Sequence, residues 1–204
     1  QGKYDAAESI LNSINCASLL PQRAQDAYYT SRISLCQSRI SNEDEKQKYL
    51  SMLAQLKEDL RVMDSTTLMY KKVSSQVAYY NKDYQRSIDY LLSIPIETLS
   101  RPYRAEFNYH LARCYEKLGA TDKMIDRLTA SAITDIQMNS RIYSSLNALS
   151  FALYSRNDYE RANRYAKKAL HDATLSKYPG RLLKSAATAS FINDKTGELQ
   201  HKLN

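Results

Sequence analysis

The chain has 204 residues, enough for one ordinary domain or about five helical repeats of 34–40 residues. Four glycines and four prolines are too few for a many-turned β fold, and 43% hydrophobic with 25% charged residues is the composition of a folded rather than a disordered chain. The net charge of +7 permits an acidic partner, but the basic residues are scattered, with Lys71-Lys72 and Lys167-Lys168 the densest runs; this reads as a mildly basic solvated surface and argues against nucleic acid as the partner.

Taken in chain order, apolar spacing, caps and breakers predict ten helices, at residues 3–15, 22–40, 43–61, 65–80, 83–94, 102–118, 121–136, 138–155, 158–175 and 179–192. Pro21 and Pro102 fall where the first turn of a helix tolerates proline. Pro95 ends the helix before it, because the residue preceding a proline is pushed out of the α region. Asn42-Glu43-Asp44-Glu45 reads as a helix start, whose carboxylates meet the positive end of the dipole; it lacks the alternation and glycine of a calcium loop. Thr121 and Asp158 are expected N-caps.

Four segments share one pattern: Gly2 to Ala7, Lys82 to Ser87, Gly119 to Met124 and Asn157 to Ala162. In each, a turn is followed by a helix whose apolar or small residues recur at offsets of four and seven. These are Leu11 and Ile14, Leu91 and Ile94, Leu128 and Ser131, and Ala166 and Ala169. The last three units repeat at 37 and 38 residues, and the first lies two units upstream. The preceding helices carry small residues near their middles, such as Ser74, Ser75 and Ala78, or Ala112, or Ser150, which let antiparallel helices approach.

This pattern resembles the tetratricopeptide repeat (TPR). The Leu118-Gly119 turn, the Asp-Tyr pairs at 83–84 and 158–159, and small Ser87 and Ala162 match its best-kept positions. Met124 departs from the usual Ala, Asn157 from the usual Gly, and the unit at residues 22–60 is degenerate. The resemblance implies an all-α fold, a right-handed α-α superhelix of about five helix-turn-helix units. Residues 1–4 fall at a turn inside a repeat, and 179–192 reads as a first helix followed only by Gly197 to Asn204. The expectation is one repeat domain over 1–204, belonging to a longer chain.

A narrower resemblance runs from Glu106 to about Ile192. Leu111-Ala112-Arg113-Cys114-Tyr115, Ser131-Ala132-Ile133-Thr134-Asp135-Ile136, Arg161-Ala162-Asn163-Arg164-Tyr165 and Ala169-Leu170-His171-Asp172-Ala173 look like the exported repeat domain of membrane-anchored regulators from gut bacteria. That resemblance implies a location at the periplasmic face of the inner membrane, with a membrane helix downstream of Glu198 to Asn204. The alternative is a freestanding periplasmic or cytoplasmic scaffold.

No phosphate-binding glycine loop and no nucleophile elbow occurs, and His110, His171 and His201 sit in no metal motif. Cys16, Cys36 and Cys114 are odd in number and form no C-x-x-C; they read as small core residues, with one Cys16–Cys36 bridge left open. The expectation is therefore a binding domain without cofactor, metal or catalytic residues.

First helices of stacked pairs line the concave face of such a solenoid. By the register of the TPR resemblance, the groove positions are Lys72, Gln76, Tyr79 and Tyr80, then Glu106, Tyr109, Arg113 and Lys117, then Asn147, Phe151 and Tyr154. Aromatic and basic side chains are favoured interface anchors, and this mixture suits a protein or peptide partner bearing acidic groups or a free C-terminus.

Overall fold

The computed structural model describes residues 2–14, 17–138, 144–176 and 179–203. Among the described residues ten α-helices run in chain order: α1 (Gly2–Asn12), α2 (Gln22–Arg39), α3 (Glu43–Asp64), α4 (Leu68–Tyr80), α5 (Tyr84–Leu92), α6 (Arg101–Lys117), α7 (Thr121–Gln137), α8 (Ser144–Ser155), α9 (Tyr159–Thr174) and α10 (Pro179–Leu203). Short 3₁₀ turns at Ala17–Leu19 and Ile96–Thr98 precede α2 and α6. No strand occurs among the described residues, so the expected all-α repeat fold is the fold observed. The chain divides into two compact units, residues 1–94 with α1 to α5 and residues 95–204 with α6 to α10.

The repeat is visible in its turns. Lys82, Gly119 and Asn157 all adopt left-handed backbone, with φ of 64°, 69° and 62°. Around each, two hydrogen bonds close the helix end in the Schellman manner. Lys82 N–H donates to Tyr79 O and Asp83 N–H to Ala78 O; Gly119 N–H to Glu116 O and Ala120 N–H to Tyr115 O; Asn157 N–H to Tyr154 O and Asp158 N–H to Leu153 O. The residue after each left-handed position then caps the next helix. Asp83 accepts from Arg86 N–H and Asp158 from Arg161 N–H, as an N-cap carboxylate does.

The third such position is Ala120, which has no side chain to cap with. This corrects the expectation for Thr121, which is the first residue inside α7; the register, not the nearest hydroxyl, decides the cap. Asp158 caps as expected. Asn42 caps α3, its Oδ1 accepting from Asp44 N–H, so the acidic run at 42–45 is a helix start. A second correction concerns α10, which runs past residue 192 to Leu203, through Gly197. Glycine inside a helix costs about 1 kcal/mol relative to alanine and need not end it.

Unit 2 packs as pairs, α6 on α7 and α8 on α9, with α10 laid on both α8 and α9. Ala162, Ala166, Ala169 and Ala173 form a fully buried stripe along α9, at the helical offsets the sequence predicts. Alanine at these positions brings helix axes close. The stripe meets Leu146, Leu149 and Leu153 of α8 and Ile192 of α10 in one core. Each fully buried leucine contributes roughly 1.5–3 kcal/mol, against about 1 kcal/mol for a cap, so packing of the pairs dominates over the turns. Polar bridges set the register between helices. Ser131 Oγ donates to Ala105 O at 2.9 Å, Ser145 Oγ to Asp135 Oδ2 at 2.7 Å, and Arg127 Nη1 to Asn108 Oδ1 at 3.1 Å.

Unit 1 has its own core, with Ile33, Cys36, Tyr49, Leu53 and Val73 fully buried. Ser87 at the start of α5 donates to Ser75 O of α4 at 2.8 Å, the close approach its small size allows. Helix α1 is held differently. Among its described side chains only Leu11 is buried. Polar links do the rest: Glu8 accepts from Lys48 Nζ at 2.6 Å and from Tyr49 Oη at 2.7 Å, and Arg39 reaches both Asp5 and Glu45. Arg32 donates to Asn12 Oδ1 at 2.7 Å and to Leu11 O at 3.0 Å. The hydrogen bonds from Lys48 and Tyr49 hold the Glu8 carboxyl below its usual range. Cys36 and Cys114 are buried core residues; the Cys16–Cys36 alternative lies outside the described residues, because Cys16 does.

Candidate binding cleft

Unit 2 contains an open cleft of about 440 Å³ between α6, the start of α7, α8 and α10. That is within the size of an ordinary ligand site. Five of the expected groove residues line it: Tyr109, Arg113 and Lys117 from α6, and Asn147 and Phe151 from α8. Lys184 of α10 completes it, with Glu116 at the rim. Its inner wall is apolar, formed by Ala112, Met124, Leu128, Ala148 and Ala152.

The charge balance is positive, three cations against Glu116. Arg113 Nε pairs with Glu116 Oε2 at 3.1 Å one turn along the same helix. Both side chains are about half exposed, and exposed pairs of this kind are worth 0–1 kcal/mol, so a ligand carboxylate can compete for the guanidinium. Lys117 and Lys184 are exposed, and neither forms a salt bridge among the described residues.

Asn147 is the polar centre. It is only 4% exposed, and its Nδ2 donates to Ser185 Oγ at 3.1 Å. Its Oδ1 is buried with no hydrogen-bond partner among the described residues. A buried acceptor left unmade costs about 1–3 kcal/mol. Phe151 leans on Phe191 of α10 with ring centroids 5.7 Å apart.

The other expected positions do not enter this cleft. Tyr154 packs into the same aromatic cluster, 5.4 Å from Tyr159 and 5.7 Å from Phe191, but does not line the cavity. Glu106 is partly buried beside His110 Nε2, at 3.6 Å. Lys72 and Gln76 of unit 1 are 3% and 4% exposed, which corrects their reading as groove surface: helical spacing sets a side chain's direction, and the neighbours set its depth. Tyr79 and Tyr80 are half-buried. Tyr79 meets Tyr80 and Tyr84 edge to face at 5.6 and 5.5 Å, and Tyr80 packs against the core of unit 1.

Lys184 and Phe191 escaped the sequence reading. The signal was present for Lys184, which lies 37 residues after Asn147, one repeat on at the same register.

The turns and helix pairs are those of a TPR-like fold, and the family comparison narrows this. The model of the SusR N-terminal TPR domain matches residues 1–186. The chain belongs to that family. Among solved structures, a kinesin light chain candidate from Podosopora anserina with nearly identical TPR-like repeats is similar at 18% identity. That match covers 85% of this chain and 90% of the other, with a TM-score of 0.60. A variant of the same protein is similar at 16% identity, over 84% and 88% of the two chains, with a TM-score of 0.62. These likenesses show the TPR-like fold. A comparison with curated proteins finds no match. As a member of the SusR N-terminal TPR family, the chain carries a fold that generally serves as a protein-interaction scaffold.

Proposed function

We propose that the chain is a non-catalytic protein-interaction domain whose unit 2 cleft takes an extended segment of a protein partner bearing carboxylates. The observation that carries this is that Arg113, Lys117 and Lys184 line one cleft together with Asn147, Tyr109 and Phe151. Side-chain or terminal carboxylates of the ligand meet the three cations. The aromatic rings supply apolar area at low entropic cost. No chemistry is required of the site, and among the described residues no cluster of His, Cys, Asp or Glu is placed to hold a metal.

We further propose that the domain is the sensing or scaffolding part of a membrane-anchored regulator, at the periplasmic face of the inner membrane. The support is the family description, an N-terminal TPR domain, together with the phrases in residues 106–192 that resemble exported repeat domains. No described helix is itself long and apolar enough to cross a membrane. The test of the site is capture from envelope extract by the folded domain, comparing the unaltered chain with Tyr109→Ala/Arg113→Ala. A protein retained only by the unaltered chain supports the cleft; equal retention by both defeats it. The regulator reading fails if the flanking gene sequence encodes neither an export signal nor a hydrophobic span.

A further inference from the structure

Unit 1 holds a second concave site, built by different elements and independent of the cleft in unit 2. The end of α3, the start of α4 and helix α5 border an open hollow of about 420 Å³, and the lining includes Tyr70, Lys71, Arg86, Asp89 and Tyr90. The rings of Tyr70 and Tyr90 meet edge to face, 6.3 Å between centroids and 88° between planes. Lys57 Nζ lies 6.0 Å from the Tyr90 ring centroid. Lys71 Nζ donates to Ser93 O at 3.1 Å, which anchors that ammonium at the rim.

Lys57 and Arg86 therefore act on the Tyr90 phenol, and Lys71 adds a third cation to the same hollow. Asp89 is the only carboxylate of the lining, and its Oδ1 already accepts from Gln85 Nε2 at 2.9 Å. Burial pushes the Tyr90 phenol up, but the Lys57 charge and hydrogen bonds from Tyr70 and Arg86 outweigh it and leave the phenol below the ordinary tyrosine range. A place that favours a phenolate is a place of positive potential. The space is more than a bare ion fills, and two aromatic rings form part of its wall.

We propose that this pocket binds a small organic phosphate, its dianionic head between Lys71 and Arg86 and its apolar part against Tyr70 and Tyr90. Two charge-assisted hydrogen bonds hold the head, and ring contacts choose ligands with an aryl or alkyl body. The probes separate the headgroup from the body.

The experiment is NMR titration of the full chain, ¹³C-labelled in its tyrosine rings, with phenyl phosphate, inorganic phosphate and benzyl alcohol. Phenyl phosphate is expected to shift the Tyr70 and Tyr90 signals saturably and inorganic phosphate to shift the same signals more weakly. Each of Lys71→Gln and Arg86→Gln is expected to weaken phenyl phosphate binding about tenfold. Lys167→Gln, an exposed cation of α9, is expected to leave it unchanged. The proposal is overturned if benzyl alcohol binds as tightly as phenyl phosphate. It is equally overturned if the Lys71→Gln/Arg86→Gln variant, folded by circular dichroism, binds like the unaltered chain, or if Lys167→Gln weakens binding as much.

Discussion

The three left-handed turns make opposite demands on their residues, and exchanging those residues tests the turn geometry directly. A non-glycine side chain in left-handed backbone costs about 1–2 kcal/mol, while glycine adds about 0.5–1 kcal/mol of unfolded-state freedom to be lost on folding. Lys82, at φ 64° with an exposed side chain, stands to gain the difference. Lys82→Gly is expected to stabilise unit 1 by about 0.5–1 kcal/mol. Gly119→Ala runs the other way. A Cβ at Gly119 would meet no atom within 4 Å, so its cost is backbone strain alone, about 1 kcal/mol of lost stability. Asn157 discriminates strain from side-chain bonding. Asparagine tolerates the left-handed region, and its Oδ1 accepts from Tyr159 Oη at 2.6 Å. Asn157→Gly is therefore expected to destabilise slightly, by about 0.5–1 kcal/mol. Urea unfolding followed by circular dichroism reads all three as midpoint shifts of roughly 0.2–1 M. A lower midpoint for Lys82→Gly, or an unchanged one for Gly119→Ala, refutes the strain argument.

Ala166→Leu places a large side chain in the fully buried stripe of α9 and is expected to lower stability by about 1–3 kcal/mol in the same unfolding assay. Glu8 has a folded pKa depressed by Lys48 and Tyr49, so its contribution is present above the ordinary glutamate pKa of about 4.3 and is lost as pH falls through the depressed value. Amide exchange in α1 is expected to accelerate below that range and in Glu8→Gln to be fast already at neutral pH. Burial pushes the Cys36 thiol up to about 11, so iodoacetamide at pH 8 is expected to alkylate it only after unfolding, by mass spectrometry. Lys184→Glu changes an exposed charge and is expected to leave the melting curve in place. It should weaken binding of an acidic partner peptide more than Lys184→Gln does, as measured by titration calorimetry.

The sequence was most legible where local chemistry and helical period agree. Turns recurring 37 and 38 residues apart mark three helix ends, which the structure closes in the Schellman manner, and the alanine offsets of α9 mark the buried stripe. It was least legible where neighbours decide. Thr121 carries the hydroxyl of an N-cap, but the left-handed residue at 119 passes the cap to Ala120. The last helix is expected to end at 192, yet a single glycine costs a helix only about 1 kcal/mol, and α10 continues through Gly197 to Leu203. Asp83 and Asp158 cap alike because each follows its left-handed residue directly; that offset, rather than residue preference, was the better guide.

The cleft makes the same point about depth. Lys72, Tyr109, Asn147 and Lys184 occupy one register, separated by 37, 38 and 37 residues. The fold gives these four positions four environments: a buried lysine, a half-buried ring, a buried amide with one atom unmatched, and an exposed ammonium. Periodicity in sequence finds the column but cannot rank its members, because the exposure of each depends on the helix stacked against it. A repeat scaffold therefore separates two kinds of information. Small residues at the helix contacts fix where the column stands, and are constrained by packing. The exposed members of that register are constrained far less, since an exposed charge such as Lys184 contributes little to stability. Binding preference can thus be rewritten one register position at a time while the turns and the alanine stripe hold the frame.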